Sequence, residues 1–321
     1  MDVAQAPGTR RAPTSELCDA LHLRVETLLE QLFFTTLYIE TSYADGRKAS
    51  GTGFVYNVHV GGGQYATFMV TNKHVIEGAE TARLRFVACE DDTMSAPLLG
   101  QAHHIDIQAP GTLFTGHPTG DVDVAVLPIS PGVSRLKEHG QFVFFRAVTS
   151  AVSMDDASVQ TLDAMEEVTF LGYPNGLYDQ VNFLPIARRG HTATPPAVDY
   201  GGQPVFLVDA SVFPGSSGSP VFLAQTGTYS IRNTGAYVGQ RVMLLGVLAA
   251  VYQRTVPVLQ VPTATASFVR DAIDIGIVYK ARTINEAVDV ALAPHSLKRS
   301  SEEPPDQVAQ PSASQDPLSE Q

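Results

Sequence analysis

The sequence predicts a mainly β protein of sandwich or barrel type, with a helix near each end. Three observations predict it. Between about residues 33 and 277, short apolar runs rich in Val, Phe, Tyr, Ile and Thr are separated by Gly, Pro, Asp and Asn, the rhythm of an all-β domain. Residues 14–32 instead carry apolar side chains at steps of three and four, the period of a helix. The chain has 321 residues, of which 44% are hydrophobic and 17% charged, enough to bury a core without disulfides or metals as staples.

Taken in order, residues 1–13 are small, polar and proline-bearing and are expected to be disordered. Thr14 and Ser15 can cap a helix over 14–32, whose face of Leu17, Leu21, Val25, Leu28 and Leu32 would pack on the main body. That helix either covers a sheet edge or offers a surface to a regulatory protein partner. Strands are expected at 33–41, 53–60, 65–71, 82–88, 123–129, 167–171, 204–208, 219–224 and 242–251. Gly61, Gly62 and Gly63 read as a hairpin turn, because no Gly-Lys-Ser/Thr follows to make a phosphate loop. Residues 136–145 give no clear signal, and 265–275 read as the second helix, with Phe268, Ala272 and Ile275 on one side. Residues 278–321 form an extension, polar and free of aromatic residues from Pro294 and expected to be disordered there.

Charge narrows the function. The net charge is −12 and the pI about 5.1, opposite to the basic footprint a general nucleic-acid binder needs to displace counterions. Only Cys18 and Cys89 are present, so neither a disulfide framework nor a four-cysteine zinc site is available. His103-His104-Ile105-Asp106 lacks a second ligand cluster and reads as an exposed strand, so no metal and no cofactor are expected. The N-terminus has no unbroken apolar core of a signal peptide. The longest apolar run, 242–252, is broken by Gly246 and is of strand length. A soluble, cytoplasmic protein is therefore the expectation.

Three segments carry chemistry. Thr71-Asn72-Lys73-His74-Val75 follows an apolar strand, Asp121-Val122-Asp123-Val124-Ala125-Val126-Leu127 opens another, and Gly215-Ser216-Ser217-Gly218-Ser219-Pro220-Val221 precedes a third. Singly, each is a strand end or a loop. In the order His, Asp, Ser they supply what acyl transfer needs: a hydroxyl nucleophile, a base for its proton, and a carboxylate to hold the base in one tautomer. Gly215 would let the N–H groups of Gly215 and Ser217 converge on an oxyanion. The serine is not an α/β-hydrolase elbow, since Ser219 occupies the second glycine position and the chain order differs.

These segments resemble the active-site blocks of trypsin-like (chymotrypsin-fold) serine peptidases, most closely bacterial Deg-type proteases and glutamyl endopeptidases. Gly53-Phe54-Val55 with Val70–His74 is similar to the block of the base. Asp123-Val124-Ala125-Val126-Leu127 is similar to that of the acid, and Gly215-x-Ser217-Gly218-Ser219-Pro220 to that of the nucleophile. Leu171-Gly172-Tyr173-Pro174 and Leu245-Gly246-Val247 have counterparts as well. The resemblance covers residues 33–277 and implies two antiparallel β-barrels of the six-stranded type, about 33–150 and 151–277, with the cleft between them. It selects His74, Asp123 and Ser217 as the triad, Asp123 over Asp121 and Ser217 over Ser216 and Ser219. It further implies a protein or peptide substrate.

Departures from the family pattern are informative. Ser216 stands where digestive enzymes carry an Asp that pairs with a freshly cut N-terminus, so activation by trimming is not expected. The extension after 277 is too short and polar for a peptide-binding C-terminal module. The primary pocket would be built from Ser211–Pro214 and Leu245, Gly246 and Val247. With no charge among these, a small or apolar residue is expected at the cleavage site. The 175–190 stretch reads as a strand connection or a loop beside the oxyanion hole. The rival function is a latent or regulatory trypsin-like module, active only when triggered. An esterase would share the same site.

Overall fold

The structure, a computed structural model, describes residues 25–155, 157–258, 267–300 and 308–309. The expected disordered first residues, positions 14–24 of the expected first helix and most of the polar tail lie outside the described residues. The described end of that helix is α1, Leu28–Phe33. Its start is held by a reciprocal cap: Glu30 N–H donates to Thr27 Oγ1 and Thr27 N–H to the Glu30 carboxylate. Leu32 anchors it in the core.

Strands β1 (Thr36–Ser42), β2 (Lys48–Gly61), β3 (Gln64–Thr71), β4 (Thr81–Ala88), β5 (Leu98–Gln108), β6 (Thr115–Gly116) and β7 (Ala125–Pro128) form an antiparallel sheet in the order β5-β4-β1-β2-β3-β7-β6. Short β8 (Val143–Phe144) pairs with β4, and β9 (Ala147–Thr149) runs parallel to β2. Three helices interrupt this half: α2 (Lys73–Ile76), α3 (Pro110–Leu113) and α4 (Ser130–Glu138). Strands β10 (Glu167–Gly172), β11 (Ile186–Thr192), β12 (Val205–Asp209), β13 (Pro220–Ile231), β14 (Gly235–Val258) and β15 (Ser267–Lys280) close into a six-stranded barrel in the order β10-β11-β12-β15-β14-β13. Helix α5 (Ala281–Leu292) follows, and Val308–Ala309 (β16) returns to pair with β9.

Alternation along β2 explains how the halves meet. Phe54, Tyr56 and Val58 enter one apolar cluster with Phe170, Phe206, Phe222 and Leu244 of the barrel, whereas Val55 points the other way, into a cluster with Ile39, Met69 and Leu84. One strand thus walls two cores. Fully burying side chains of this size contributes about 1.5–3 kcal/mol each. Helix α5 lays Ala281, Ile284, Ala287, Val288, Ala291 and Leu292 on the first of these clusters, and Tyr56 Oη donates to Asn285 Oδ1 at 2.8 Å.

The mainly β class is as expected, and the runs read as strands lie in β1–β4, β7, β10 and β12–β14. Two segments differ. Of the stretch 265–275, residues 265–266 lie outside the described residues, and from Ser267 the chain is not a helix but strand β15, which closes the barrel between β12 and β14. Ladder pairing on both sides overrides a three-to-four apolar spacing that is too short to decide alone. The C-terminal helix lies later, in α5. Arg188, Arg189 and Gly190 are not loop but strand β11, so the connection after β10 is residues 173–185. No helix among the described residues is long and apolar enough to cross a membrane.

Candidate active site

Strand β3 ends at Thr71, Asn72 stands at the N-cap position of α2 without a side-chain capping bond, and the single turn of α2 presents His74 while burying Val75 and Ile76. Gly51 on β2 makes room for this turn, since a Cβ there would lie 2.4 Å from Val75 Cγ1. The loop before β7 lies beside it. Lys73 Nζ donates to the carbonyls of His117, Thr119 and Gly120, and Asn72 Nδ2 donates to the Asp123 carbonyl at 2.6 Å. Val122 and Val124 are buried, which turns Asp123 toward His74.

The two side chains meet at two points. Asp123 Oδ2 lies 2.5 Å from His74 Nδ1, and Oδ1 accepts the His74 backbone N–H at 3.1 Å. A carboxylate only accepts, so Nδ1 carries the proton and Nε2 is left as the basic nitrogen. Burial, the largest single influence on Asp123, pushes its carboxyl up. The His74 hydrogen bond and charge, with the N–H groups of His74 and Lys73, outweigh it and hold the carboxyl below its ordinary value. Asp121 is placed differently: it is exposed, and its carbonyl accepts Tyr279 Oη at 3.0 Å.

The Gly215–Pro220 turn sits against β2 through Thr52, a residue the sequence analysis passed over although it adjoins Gly53. Thr52 N–H donates to the Ser217 carbonyl at 2.9 Å, and Oγ1 donates to the Gly215 carbonyl at 2.8 Å while accepting Tyr173 N–H at 3.1 Å. Its own carbonyl takes the Thr71 hydroxyl at 2.7 Å. Thr52 is fully buried, and nothing in a linear pattern signals a threonine whose partners Tyr173, Gly215 and Ser217 lie over a hundred residues away. Gly215 and Gly218 both adopt left-handed φ, +86° and +88°. A Cβ on Gly218 would lie within bonding distance of Thr52 O. Gly218→Ala is therefore expected to destabilise the fold by more than ~2 kcal/mol, left-handed strain adding to the collision. A urea midpoint equal to wild type would show that the turn has room.

The Pro214 carbonyl accepts Asn175 N–H at 2.5 Å. In a planar trans peptide, Gly215 N–H then points the opposite way. The N–H groups of Gly215 and Ser217 donate to no carbonyl among the described residues. The Ser217 hydroxyl donates to the Ala249 carbonyl at 2.8 Å. Ala249 sits where the β14–β15 register shifts, which releases its carbonyl from the ladder. The structure thus joins His74 to Asp123 but does not join Ser217 to His74.

Of the candidate pocket residues, Ser211 and Pro214 are exposed beside the turn. Leu245 and Val247 are fully buried core, and a Cβ on Gly246 would meet the Tyr279 carbonyl. The part of β14 that meets the serine is Leu248 and Ala249, whose carbonyls accept Gly218 N–H and the Ser217 hydroxyl. The linear reading also missed a charge. Arg188 of β11 packs its guanidinium over Phe213 at 4.9 Å and Phe170 at 5.3 Å.

The sequence profile of the trypsin-like peptidase domain matches residues 51–229. No curated protein sequence matches the chain. Among solved structures, Deg5 is similar at 16% identity and a TM-score of 0.39, over 75% of this chain and 88% of its own. The active form of the Rv3671c protease from M. tuberculosis is similar at 15% identity and a TM-score of 0.39, over 92% and 96% of the two chains. The thermostable serine protease AL20, from an extremophilic microorganism, is similar at 12% identity and a TM-score of 0.41, over 81% and 97%. The profile spans more than half of the sequence, so the chain belongs to the trypsin-like peptidase domain family and is a serine peptidase.

Proposed function

We propose that this serine peptidase hydrolyses internal peptide bonds of a protein or peptide substrate through an acyl-enzyme, with Ser217, His74 and Asp123 as its triad. The observation that carries the reading is the two-point hold of Asp123 on His74, which fixes the ring and leaves Nε2 as base. Ser217 Oγ bonds to the scissile carbonyl carbon as its proton passes to His74 Nε2. The Gly215 and Ser217 amides hold the oxyanion. The C–N bond then breaks, and His74 returns the proton to the leaving amine. Water, deprotonated by His74, attacks the ester, releasing the acid and restoring the Ser217 hydroxyl. No step calls on a metal or cofactor.

The Ser217–Ala249 hydrogen bond favours a second reading in which this is a resting state. On this reading the Ser217 hydroxyl would leave Ala249 for His74 on activation, and a protein partner, on the first helix or elsewhere, would be the trigger. Hydrogen bonds at such sites often tighten only in the substrate complex, so both readings share one chemistry.

Incubation with a fluorophosphonate and intact-mass detection is expected to show one adduct, mapped to Ser217. An adduct on Ser216 or Ser219 would overturn the assignment. No adduct on wild type, with one appearing after deletion of residues 1–32, would favour the resting state. No adduct on either protein would overturn the first reading, an enzyme active as it stands. A substrate library then reads the cleavage-site preference. Ser211 supports a small or apolar residue, and Arg188 beside Phe213 would instead favour an acidic one.

A further inference from the structure

The connection 173–185 meets the first sheet through an aromatic cluster that the proposed mechanism does not use. Tyr38 of β1, Tyr173, Tyr178 and Phe183 pack ring to ring. Centroid separations are 5.1 Å for Tyr38–Tyr173, 5.5 Å for Tyr38–Tyr178, 6.1 Å for Tyr173–Tyr178 and 6.4 Å for Tyr178–Phe183. Arg85 of β4, the cross-strand neighbour of Tyr38, inserts its guanidinium among them. Its Cζ lies 4.7 Å from the centre of the Tyr38 ring, 4.7 Å from Tyr178 and 5.2 Å from Phe183. Arg85 Nη1 is buried and has no hydrogen-bond partner among the described residues, so the aromatic faces are the main compensation for its charge. A hydrogen-bonding role would have given it a carboxylate. Arg83 on the same strand has one, at 2.6 Å in Asp106.

The clamped segment is short and internally tied. Asp179 accepts the N–H groups of Val181 and Asn182 and the Asn182 side-chain amide, while Phe183 N–H returns to the Asp179 carbonyl. This turn aims Phe183 back at Arg85. At the other end of the segment stand the two backbone donors that set the nucleophile turn: Tyr173 N–H on Thr52 Oγ1, and Asn175 N–H on the Pro214 carbonyl. The second contact decides which way the Pro214–Gly215 peptide faces. Asn175 makes it from a left-handed conformation, φ +50°, which neighbouring packing must maintain.

We infer that Arg85 is a positioning residue for the oxyanion hole: its cation, clasped by Tyr38, Tyr178 and Phe183, pins the 173–185 segment so that Asn175 N–H keeps the Pro214 carbonyl turned away and Gly215 N–H turned inward. The inference rests on the function proposed above. Without the clasp the segment is free to lift, the peptide can rotate, and a carbonyl can replace a donor at the oxyanion site. Arg85 touches no reacting atom, so it acts on transition-state stabilisation and little on ground-state binding.

Three variants test it. Arg85→Met keeps the length and loses the charge, Arg85→Lys restores a cation, and Tyr178→Phe keeps the ring. Arg85→Met is expected to lower kcat about 10- to 100-fold with KM within about twofold, and to weaken a peptide-aldehyde inhibitor by a similar factor, since only the tetrahedral adduct uses the hole. Arg85→Lys should recover much of the loss, and Tyr178→Phe should resemble wild type. Hydrogen exchange should show faster exchange of the Asn175 amide in Arg85→Met at an unchanged global unfolding midpoint. Wild-type-like exchange at Asn175, or a kcat within twofold of wild type, would overturn the role of Arg85. So would Arg85→Lys being as poor as Arg85→Met, or a loss confined to KM. If wild type itself neither turns over nor takes the fluorophosphonate, the functional reading fails first. The exchange result still tells whether the clasp holds Asn175.

Discussion

Ser217→Ala is expected to remove more than about 10⁵-fold of kcat against a peptide substrate, leaving only what the oxyanion donors and substrate binding supply. The neighbours should behave otherwise. Ser216 and Ser219 are almost fully buried, and their hydroxyls have no hydrogen-bond partner among the described residues. Removing an unsatisfied buried hydroxyl costs little, so Ser216→Ala and Ser219→Ala should stay within a fewfold of wild type and be no less stable. Ser217 differs in being half-buried, with its hydroxyl on the Ala249 carbonyl, so its replacement should cost about 1 kcal/mol of stability along with the activity. Steady-state kinetics on the three alanine variants decides. A Ser217→Ala enzyme within a hundredfold of wild type, or a comparable loss in Ser216→Ala, would move the nucleophile elsewhere.

Asp123→Asn is expected to lower kcat about 10,000-fold with little change in KM. The geometry says why a nearly isosteric change should be so damaging. Oδ1 of Asp123 is already committed to the His74 backbone N–H. An asparagine that keeps this contact must turn its NH₂ toward His74 Nδ1. Nδ1 would then have to accept, the imidazole proton would move to Nε2, and a donor would face the Ser217 hydroxyl. The pH behaviour follows from the depressed titration of Asp123. Its carboxylate contributes to stability above its unfolded-state value, and that contribution is lost as pH falls through the lower folded-state value. Near neutral pH it therefore stays ionised, and no limb of the activity profile should come from it. Activity of Asp123→Asn within tenfold of wild type would mean that the aspartate orients nothing of consequence.

Much of this molecule is readable without its fold. Short β-branched and aromatic runs between glycines and prolines predict a mainly β domain, because pleated, half-buried surfaces select such side chains. The local order around His74, Asp123 and Ser217 singles those residues out as the proposed triad, because each sits in a short segment whose neighbours are legible. Gly215 was legible as the residue that lets the backbone turn ahead of Ser217, since that freedom answers to backbone sterics within a few residues.

What spans the chain was not readable. Residues 267–275, within the 265–275 stretch read as a helix, belong to strand β15, because β12 and β14 offer ladder partners on both sides. The Ala249 carbonyl that meets the Ser217 hydroxyl sits at a register shift between β14 and β15 that no sequence period encodes. Thr52 and Arg85 look like ordinary strand residues. Only the meeting of the two halves gives Thr52 the carbonyls of Ser217 and Gly215, and only the return of residues 173–185 encloses Arg85 in aromatic rings. The sequence by itself determined the fold class and the family, and it named the chemical groups proposed for the reaction. The tertiary structure decided which backbone dipoles those groups face, because hydrogen bonds and ring contacts depend on distances across the fold that local pattern does not carry.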